Sequence, residues 1–243
     1  MRSGADRARR AVADGVYELK TLVARSPAVA IPIERRRGRG VVVSDATQIV
    51  IEAYPRSAST FVVAAFRLAQ EPSWVEIAHH THMPAQVIEA VRRGIPALVL
   101  VRPPRDAVVS LLIHSPERTA AGALRGYTRF YEPLLPMREG FVTATFDDAV
   151  GDLGGVIDRI NDRFGTTFVP FVHAPEHLAR IRDEIDADPA IQGDDPDRRE
   201  RRIARPSDVR RDLRADVAHR YDAAPGHLRS RAEAVYASLS PSP

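Results

Sequence analysis

Short apolar runs alternate with stretches of helical periodicity through the middle of this chain, and this alternation limits the fold to few classes. Four runs have the composition of strands: Ile49 to Ala53, Trp74 to Ala78, Ala97 to Val101 and Val142 to Phe146. Helical patterns separate or follow them, over Ser59 to Ala69, Pro84 to Arg93 and Arg105 to Ile113. Strands that alternate with helices form parallel sheets. We therefore predict an α/β fold with a parallel sheet flanked by helices on both faces.

The two ends of the chain are predicted to be mostly helical. A helix over Ala5 to Ala24 precedes a basic connector, Arg35 to Gly40, and the charged run Gly193 to Arg202 is predicted to be a loop. The later helices are predicted over Gly154 to Phe164, Pro175 to Asp186, Ser207 to Tyr221 and His227 to Leu239. A chain of 243 residues suits one domain. We predict a single domain over 1-243, with an N-terminal helix and connector (1-40), an α/β core (41-170) and a helical C-terminal extension (171-243).

The composition excludes several kinds of chemistry. The chain has no cysteine, which excludes disulfides, thiolate metal ligands and cysteine nucleophiles. No apolar stretch approaches the length of a signal peptide core or a membrane span, so we expect a cytoplasmic protein without a membrane span. The net charge is only +3, because 35 basic residues nearly balance 32 acidic ones, and we expect no nucleic-acid partner. Only Lys20 among the basic residues is a lysine, and arginine binds phosphate and sulfate bidentately.

Polar side chains are concentrated where the first predicted strand ends. The segment Tyr54 to Phe61 contains Arg56, Ser57, Ser59 and Thr60, and a helix is predicted to begin within it. Such a turn directs backbone N–H groups and the positive end of a helix dipole at one point, which is how phosphate and sulfate are commonly bound. The alternative is that the hydroxyl groups only cap the helix. The Walker A spacing and its lysine are absent, which disfavours an ATP kinase.

A second candidate anion site follows the third predicted strand. Arg102 stands at the strand tip, and Ser110 lies in the second turn of the next predicted helix. The two side chains can close on one further phosphate. Anion sites at neighbouring strand ends suit a doubly phosphorylated ligand.

These segments resemble the motifs of the sulfotransferases that use 3′-phosphoadenylyl sulfate (PAPS). Tyr54 to Phe61 is similar to the family signature YPKSGTTW, and Arg102 to Ser110 is similar to R-x-x-K/R-D-x-x-x-S. His80-Thr81-His82-Met83-Pro84 resembles the segment K-T-H-x-P, and Thr145 to Ala149 more weakly resembles Y-E-D-L. The resemblance covers about Gln48 to Phe168.

The resemblance implies a P-loop-like sheet and transfer of a sulfuryl group from PAPS to a hydroxyl of a small-molecule acceptor. The product would be adenosine 3′,5′-bisphosphate (PAP), and no metal would be needed. The resemblance makes His82 the general base, with His80 as the second candidate, and makes Arg56 the residue that stabilises charge on the bridging oxygen. It assigns the donor to these residues: Arg56, Ser57, Ala58, Ser59, Thr60 and Phe61 for the 5′-phosphosulfate loop, and Arg102 and Ser110 for the 3′-phosphate. Phe61 either packs in the core or stacks on the adenine ring.

The sequence also departs from the family pattern. Ala58 stands where the family has glycine, and a positive φ there would cost about 1–2 kcal/mol. Arg56 replaces a lysine, Phe61 a tryptophan and His80 a lysine, as in a compact bacterial-type member. The glycine- and lysine-rich C-terminal segment of the family has no copy here. Candidates to replace it at the 3′-phosphate are Arg201, Arg202 and Arg205.

Two other functions fit parts of the sequence. A Mg-dependent nucleotide phosphotransferase would use the same kind of sheet. A non-catalytic nucleotide-fold binding protein would use the arginine-rich C-terminal helices to hold a partner. His80 and His82 share one face of an extended segment and would suit a metal, but without an acidic or thiolate partner nearby we predict none.

Overall fold

The N-terminal part of the chain forms two helices outside the sheet. A computed structural model describes residues 4–38, 40–189, 195–203 and 207–240, with side chains from residue 14 onward. The first helix is α1 (Gly4–Val23) and the second is α2 (Pro27–Arg37), which ends at Gly38 in the left-handed conformation, with φ 62°. The predicted basic connector is therefore helical as far as Arg37, because the left-handed glycine ends the helix only after it. Arg39 lies outside the described residues.

A four-stranded parallel sheet forms the centre of the fold. Its strands are β1 (Ile49–Ala53), β2 (Ile77–His79), β3 (Ala97–Val101) and β4 (Val142–Thr145), in the order β2-β1-β3-β4. The second strand is shorter than predicted and begins at Ile77. Phe146 belongs to the following helix, because the Thr145 side chain and the Asp148 carboxylate cap its first turn reciprocally. The predicted parallel sheet is confirmed.

Helices connect the strands and form the C-terminal region. The connecting helices are α3 (Ser59–Gln70), α4 (Pro84–Arg93), α5 (Pro104–His114), α6 (Ala120–Tyr131) and a 3₁₀ helix (Glu132–Gly140), and α7 (Phe146–Gly151) follows the last strand. The remaining helices are α8 (Leu153–Phe164), α9 (Pro175–Asp186), α10 (Pro196–Arg202), α11 (Asp208–Asp222) and α12 (Gly226–Leu239). The prediction of a loop over Gly193 to Arg202 is wrong for the part that forms α10. The Asp195 side chain accepts a hydrogen bond from the N–H of Arg198 and caps this short helix. Gly193 and Asp194 lie outside the described residues.

Two apolar layers, one on each face of the sheet, form the core. Side chains of β1 and β3 alternate between the layers: Val50 and Val99 pack towards α4, α5, α6 and α12. Ile51 and Leu98 pack towards α3, α8 and α9. Burial on both faces explains why these strands are continuous apolar runs. None of the described helices has the length and apolar character needed to cross a membrane.

The strand order brings the candidate loops together. β1 lies between β2 and β3, with Ile51 opposite His79 and Ala53 opposite Leu100. The carboxyl ends of the three strands therefore meet at one edge, where the strand order reverses and open α/β sheets bind ligands.

Candidate functional site

The loop after β1 is built from two left-handed residues. Arg56 has φ 71° and Ala58 has φ 73°, so Ala58 adopts the conformation that glycine takes without strain. The N–H of Val62 makes a 3.0 Å bond to the carbonyl of Ala58. The N–H groups of the preceding helical residues, Ser59 and Thr60 among them, have no acceptor within α3. This end of α3 is suited to an anion.

Ser57 presents a buried hydroxyl inside this loop. The side chain is fully buried, and the Tyr131 hydroxyl lies close to it. No hydrogen bond of acceptable geometry joins Ser57 Oγ to any residue that the structure describes. A buried hydroxyl without a partner costs about 1–3 kcal/mol. An anion oxygen in the loop would satisfy it, so the residues present fit a bound phosphate or sulfate.

The second loop joins the first through arginine contacts. Arg102 Nη1 donates to the carbonyl oxygen of Arg56 over 2.8 Å, and the Arg102 guanidinium lies 4.1 Å from the centre of the Phe146 ring. Arg56 Nε donates to Ser110 Oγ over 3.3 Å. The guanidinium of Arg56 thus lies with Ser110, at the predicted 3′-phosphate residues. Arg56, Arg102 and Ser110 all lie at one edge of the sheet.

Arg210 completes this group, although it was not among the residues predicted from the sequence. Its Nη2 donates to Ser110 Oγ over 3.1 Å, and its Nη1 donates to the carbonyl oxygen of Arg201. Of the arginines proposed for this position, Arg201 and Arg202 contribute backbone carbonyls to the group, since Arg56 Nη1 donates to Arg202 over 3.3 Å. Arg205 lies outside the described residues. Nothing local in the arginine-rich sequence of α11 distinguishes Arg210 from its neighbours.

The arginine cluster, Arg56, Arg102 and Arg210, concentrates positive charge, with Arg210 buried and Arg56 and Arg102 half-buried. Burial, followed by the charges of Arg210 and Arg102, lowers the pKa of Arg56 to about 9. Burial is also the main cause that lowers the pKa of Arg102 and of Arg210. Among the described residues, no carboxylate is ion-paired to any of the three, and nearby Asp106 pairs with Arg214. Such a cluster is stabilised by an anion.

His82 has the geometry of a base. Its Nδ1 lies 2.9 Å from the carbonyl oxygen of Ala53. Since a carbonyl only accepts, Nδ1 carries the hydrogen and Nε2 of the neutral ring carries the lone pair. The residue is left-handed, with φ 52°, which is uncommon away from glycine. The lone pair of Nε2 can therefore accept a proton at this edge of the sheet.

Glu52 holds the backbone beside His82, although it was not among the predicted site residues. Its carboxylate is fully buried and accepts from the N–H of Thr81 at 2.9 Å, from the Thr81 hydroxyl at 2.7 Å and from the N–H of His82 at 3.0 Å. Gln86 Nε2 donates to the same carboxylate over 3.0 Å. Burial raises the pKa of Glu52, while the charge of His82 and the hydrogen bonds from Thr81 and His82 oppose the rise. The available signal was one acidic residue inside the apolar strand Ile49–Ala53.

His80, the second candidate base, is engaged at both ring nitrogens. Its Nε2 lies 3.2 Å from Thr60 Oγ1, and its Nδ1 lies 2.5 Å from Nδ1 of His79. Burial, followed by the charge of His79, lowers the pKa of His80 to about 3. His80 is thus less suited than His82 to accept a proton from an acceptor.

Phe61 lies beside the candidate anion loop, and its ring is only partly buried. The Phe61 ring is partly exposed and lies 6.3 Å from the ring of Phe171 and 6.4 Å from that of His173. It therefore packs against core residues while one part stays accessible for stacking. In the part of the chain that the structure describes, no three His, Cys, Asp or Glu side chains are grouped as a metal ion requires.

Comparison with known proteins finds a similar structure but no similar sequence. No protein-family model matches the sequence, and no curated protein matches it at a significant level. Among solved structures, the fold is similar to the crystal structure of mouse sulfotransferase SULT7A1 complexed with PAP, with 12% sequence identity and a TM-score of 0.40. The match covers 79% of this chain and 90% of the mouse chain. A similarity at this sequence identity and TM-score concerns the fold alone and gives no information on what this protein binds.

Proposed function

We propose that this protein is a sulfotransferase that moves a sulfuryl group from PAPS to a hydroxyl of a small-molecule acceptor. The observation that carries the proposal is the arginine cluster, in which Arg56 and Arg210 both donate to Ser110 Oγ. It lies at the same sheet edge as His82 with its Nε2 lone pair. The cluster suits a doubly anionic nucleotide, and the histidine suits removal of a proton from an alcohol.

The donor would be held at both of its charged ends. Ser57, Ser59, Thr60 and the N–H groups at the start of α3 would hold the 5′-phosphosulfate. The arginine cluster and Ser110 would hold the 3′-phosphate. Its oxygens would compete with the carbonyl oxygens of Arg202 and Ile203, to which Arg56 donates over 3.3 and 2.9 Å. This arrangement favours a 3′-phosphate role for Arg56 over the role at the bridging oxygen.

In the reaction, the acceptor oxygen attacks sulfur and the bond from sulfur to the bridging oxygen breaks. The electron pair stays on that oxygen, so PAP leaves as an anion, and the acceptor proton passes to His82 Nε2. General-base assistance of this kind contributes about 10²–10⁴-fold. The N–H groups at the start of α3 stabilise the charge on the departing phosphate. Glu52 holds the backbone of His82, which keeps the ring in place.

The first experiment measures PAP binding by thermal unfolding, with and without EDTA. At a hundredfold excess over Kd, binding adds about 2.7 kcal/mol, which raises the Tm by about 5–10 °C for a chain of this size. The shift is expected to survive EDTA. An absent shift would overturn the proposal, and a shift that required Mg²⁺ would favour a phosphotransferase.

The second experiment tests the base. PAPS is supplied with phenols, alcohols and sugars, and PAP release is measured for the wild type, His82→Ala and the exposed-residue control His227→Ala. His82→Ala is expected to keep the PAP thermal shift and to lose turnover by about 10²–10⁴-fold. The control is expected to turn over like the wild type. Turnover by His82→Ala near the wild-type level would remove His82 from this role.

A further inference from the structure

A chain of four side chains runs from α3 to the strand β2 and back to the start of α3. Arg67 Nη2 lies 2.7 Å from His79 Nε2. His79 Nδ1 lies 2.5 Å from His80 Nδ1, and His80 Nε2 lies 3.2 Å from Thr60 Oγ1. The chain therefore ends at a hydroxyl of the candidate anion loop.

The chemistry of the groups decides where each hydrogen lies. A guanidinium only donates, so Nε2 of His79 must accept, and the hydrogen of the neutral ring is on Nδ1. That hydrogen is donated to Nδ1 of His80, which places the His80 hydrogen on Nε2. His80 Nε2 then donates to Thr60 Oγ1. The Thr60 hydroxyl accepts this bond and has its own hydrogen left to donate.

The surroundings keep both histidines neutral, which this ordering requires. Burial, followed by the charge of Arg67, lowers the pKa of His79 to about 4. The pKa of His80 is lowered to about 3 by burial and by the charges of His79, His82 and Arg67. A second proton on His80 would place two N–H groups against each other at the 2.5 Å contact, and a second proton on His79 would point an N–H at the Arg67 guanidinium 2.7 Å away.

The backbone holds this arrangement in place. His80 is left-handed, with φ 59°, and Val41 pairs with His79 through two backbone hydrogen bonds of 3.0 and 2.9 Å. A Cβ at Gly40 would lie 2.8 Å from the carbonyl oxygen of His79 and 2.9 Å from that of His80. Only glycine allows the chain at residue 40 to approach the backbone of His79 and His80 so closely.

We propose that Arg67, His79 and His80 are positioning residues that fix the direction of the Thr60 hydroxyl hydrogen, so that Thr60 acts as a one-way donor to an anion oxygen in the loop. The proposal rests on the proposed function only for the identity of the anion, a phosphosulfate. A site that offers only donors suits sulfate oxygens, all of which accept, and disfavours a protonated phosphate oxygen, which must donate.

The first test needs no ligand. Two-bond ¹H–¹⁵N NMR spectra of the full chain at pH 7 report which ring nitrogen carries the hydrogen, and His79→Gln and His80→Gln variants assign the signals. Neutral rings are expected, with the hydrogen on Nδ1 in His79 and on Nε2 in His80. A hydrogen on Nδ1 of His80, or a cationic ring in either residue, would overturn the proposal.

The second test measures binding of PAP and of inorganic sulfate to the wild type, Thr60→Val, Arg67→Met and the double variant. Thr60→Val removes the donor and is expected to weaken binding about tenfold or more, since hydrogen bonds to charged groups are strong. Arg67→Met removes the donor that fixes the tautomers of His79 and His80. It is expected to weaken binding by a smaller factor than Thr60→Val does. The double variant is expected to bind no more weakly than Thr60→Val, because Arg67 acts through Thr60. Additive losses of binding free energy in the double variant would overturn the proposed relay, the chain of hydrogen bonds from Arg67 through His79 and His80 to Thr60.

The two ligands separate this inference from the proposed function. If PAP does not bind but sulfate binds in a Thr60-dependent way, the nucleotide assignment fails and the relay stands. If PAP binds normally to Thr60→Val, the relay fails and the sulfotransferase proposal stands.

Discussion

Arg102 Nη1 donates a 2.8 Å hydrogen bond to the backbone carbonyl oxygen of Arg56. The two arginines follow the neighbouring parallel strands β1 and β3, so the bond ties together the loops that the sequence suggests as two separate anion sites. Ser110 and Arg210 extend the contact, since Ser110 Oγ accepts from both Arg56 and Arg210. The two predicted sites thus form one continuous positively charged edge.

Replacing Arg210 should reduce selectivity for the 3′-phosphate. Loss of a charged hydrogen bond costs about 1.5–3 kcal/mol, so Arg210→Ala is expected to weaken PAP binding about tenfold to a hundredfold. Binding of AMP, which lacks the 3′-phosphate, should change little. Calorimetric titration with both nucleotides measures the ratio, and Arg211→Ala is the control because that side chain is 77% exposed. Equal losses for both nucleotides would count against a 3′-phosphate role.

Replacing Glu52 should destabilise the fold although the shape is retained. All groups around the carboxylate are donors, so Glu52→Gln places an NH₂ group against an N–H of Thr81 or His82. An unsatisfied or opposed buried polar group costs about 1–3 kcal/mol, and urea unfolding should show a loss of that size. The exposed Glu117→Gln is the control and should lie within about 0.5 kcal/mol of the wild type. A Glu52→Gln variant as stable as the wild type would contradict the role of the carboxylate.

The protein should lose stability as the pH falls below 6.5. The pKa is lowered to about 4 in His79 and to about 3 in His80 and His114, chiefly by burial. At pH values between these lowered pKa values and 6.5, the unfolded chain binds protons that the folded chain does not. The contribution of the three neutral histidines to stability is therefore complete above pH 6.5 and is lost on acidification.

Urea unfolding at pH 7.5, 6.5 and 5.5 measures this loss. Each proton bound only by the unfolded chain contributes up to about 1.4 kcal/mol per pH unit. Solvent screening of the partly exposed His80 and His114 reduces the sum, and we expect a decrease of about 2 kcal/mol from pH 6.5 to 5.5. The double variant His79→Gln with His114→Gln should show a flatter dependence. A stability that is constant over this range would show that the three rings titrate normally.

Replacing Ala58 by glycine should stabilise the protein. Relief of the left-handed strain gains about 1–2 kcal/mol, while the flexibility of glycine in the unfolded chain costs about 0.4–1 kcal/mol. Ala58→Gly is expected to raise the free energy of unfolding by about 0.5–1 kcal/mol in urea titrations. The same change inside α3, Ala69→Gly, should lower it by about 1 kcal/mol. Destabilisation by Ala58→Gly would mean that the methyl contacts outweigh the strain.

Much of the α/β core could be predicted from local patterns. β1, β3 and helix α4 agree closely with the predictions. The strands are marked by apolar runs and the helix by a proline at its start and a glycine after its end, and these signals all lie within about ten residues. Helices α2 and α6 were not predicted. Pro32 stands inside α2 and Gly122 and Gly126 stand inside α6, so their stability comes from packing that local propensity does not report.

Local sequence is enough to place Arg56, Arg102 and His82 at strand ends, because strand and helix boundaries depend on neighbours along the chain. The partners of those side chains follow from the packing of distant segments. Arg210 reaches Ser110 across 100 positions of sequence, and Glu52 reaches His82 across 30. Such contacts depend on how helices and strands pack, and so does the burial that shifts the pKa values; no local pattern carries that information.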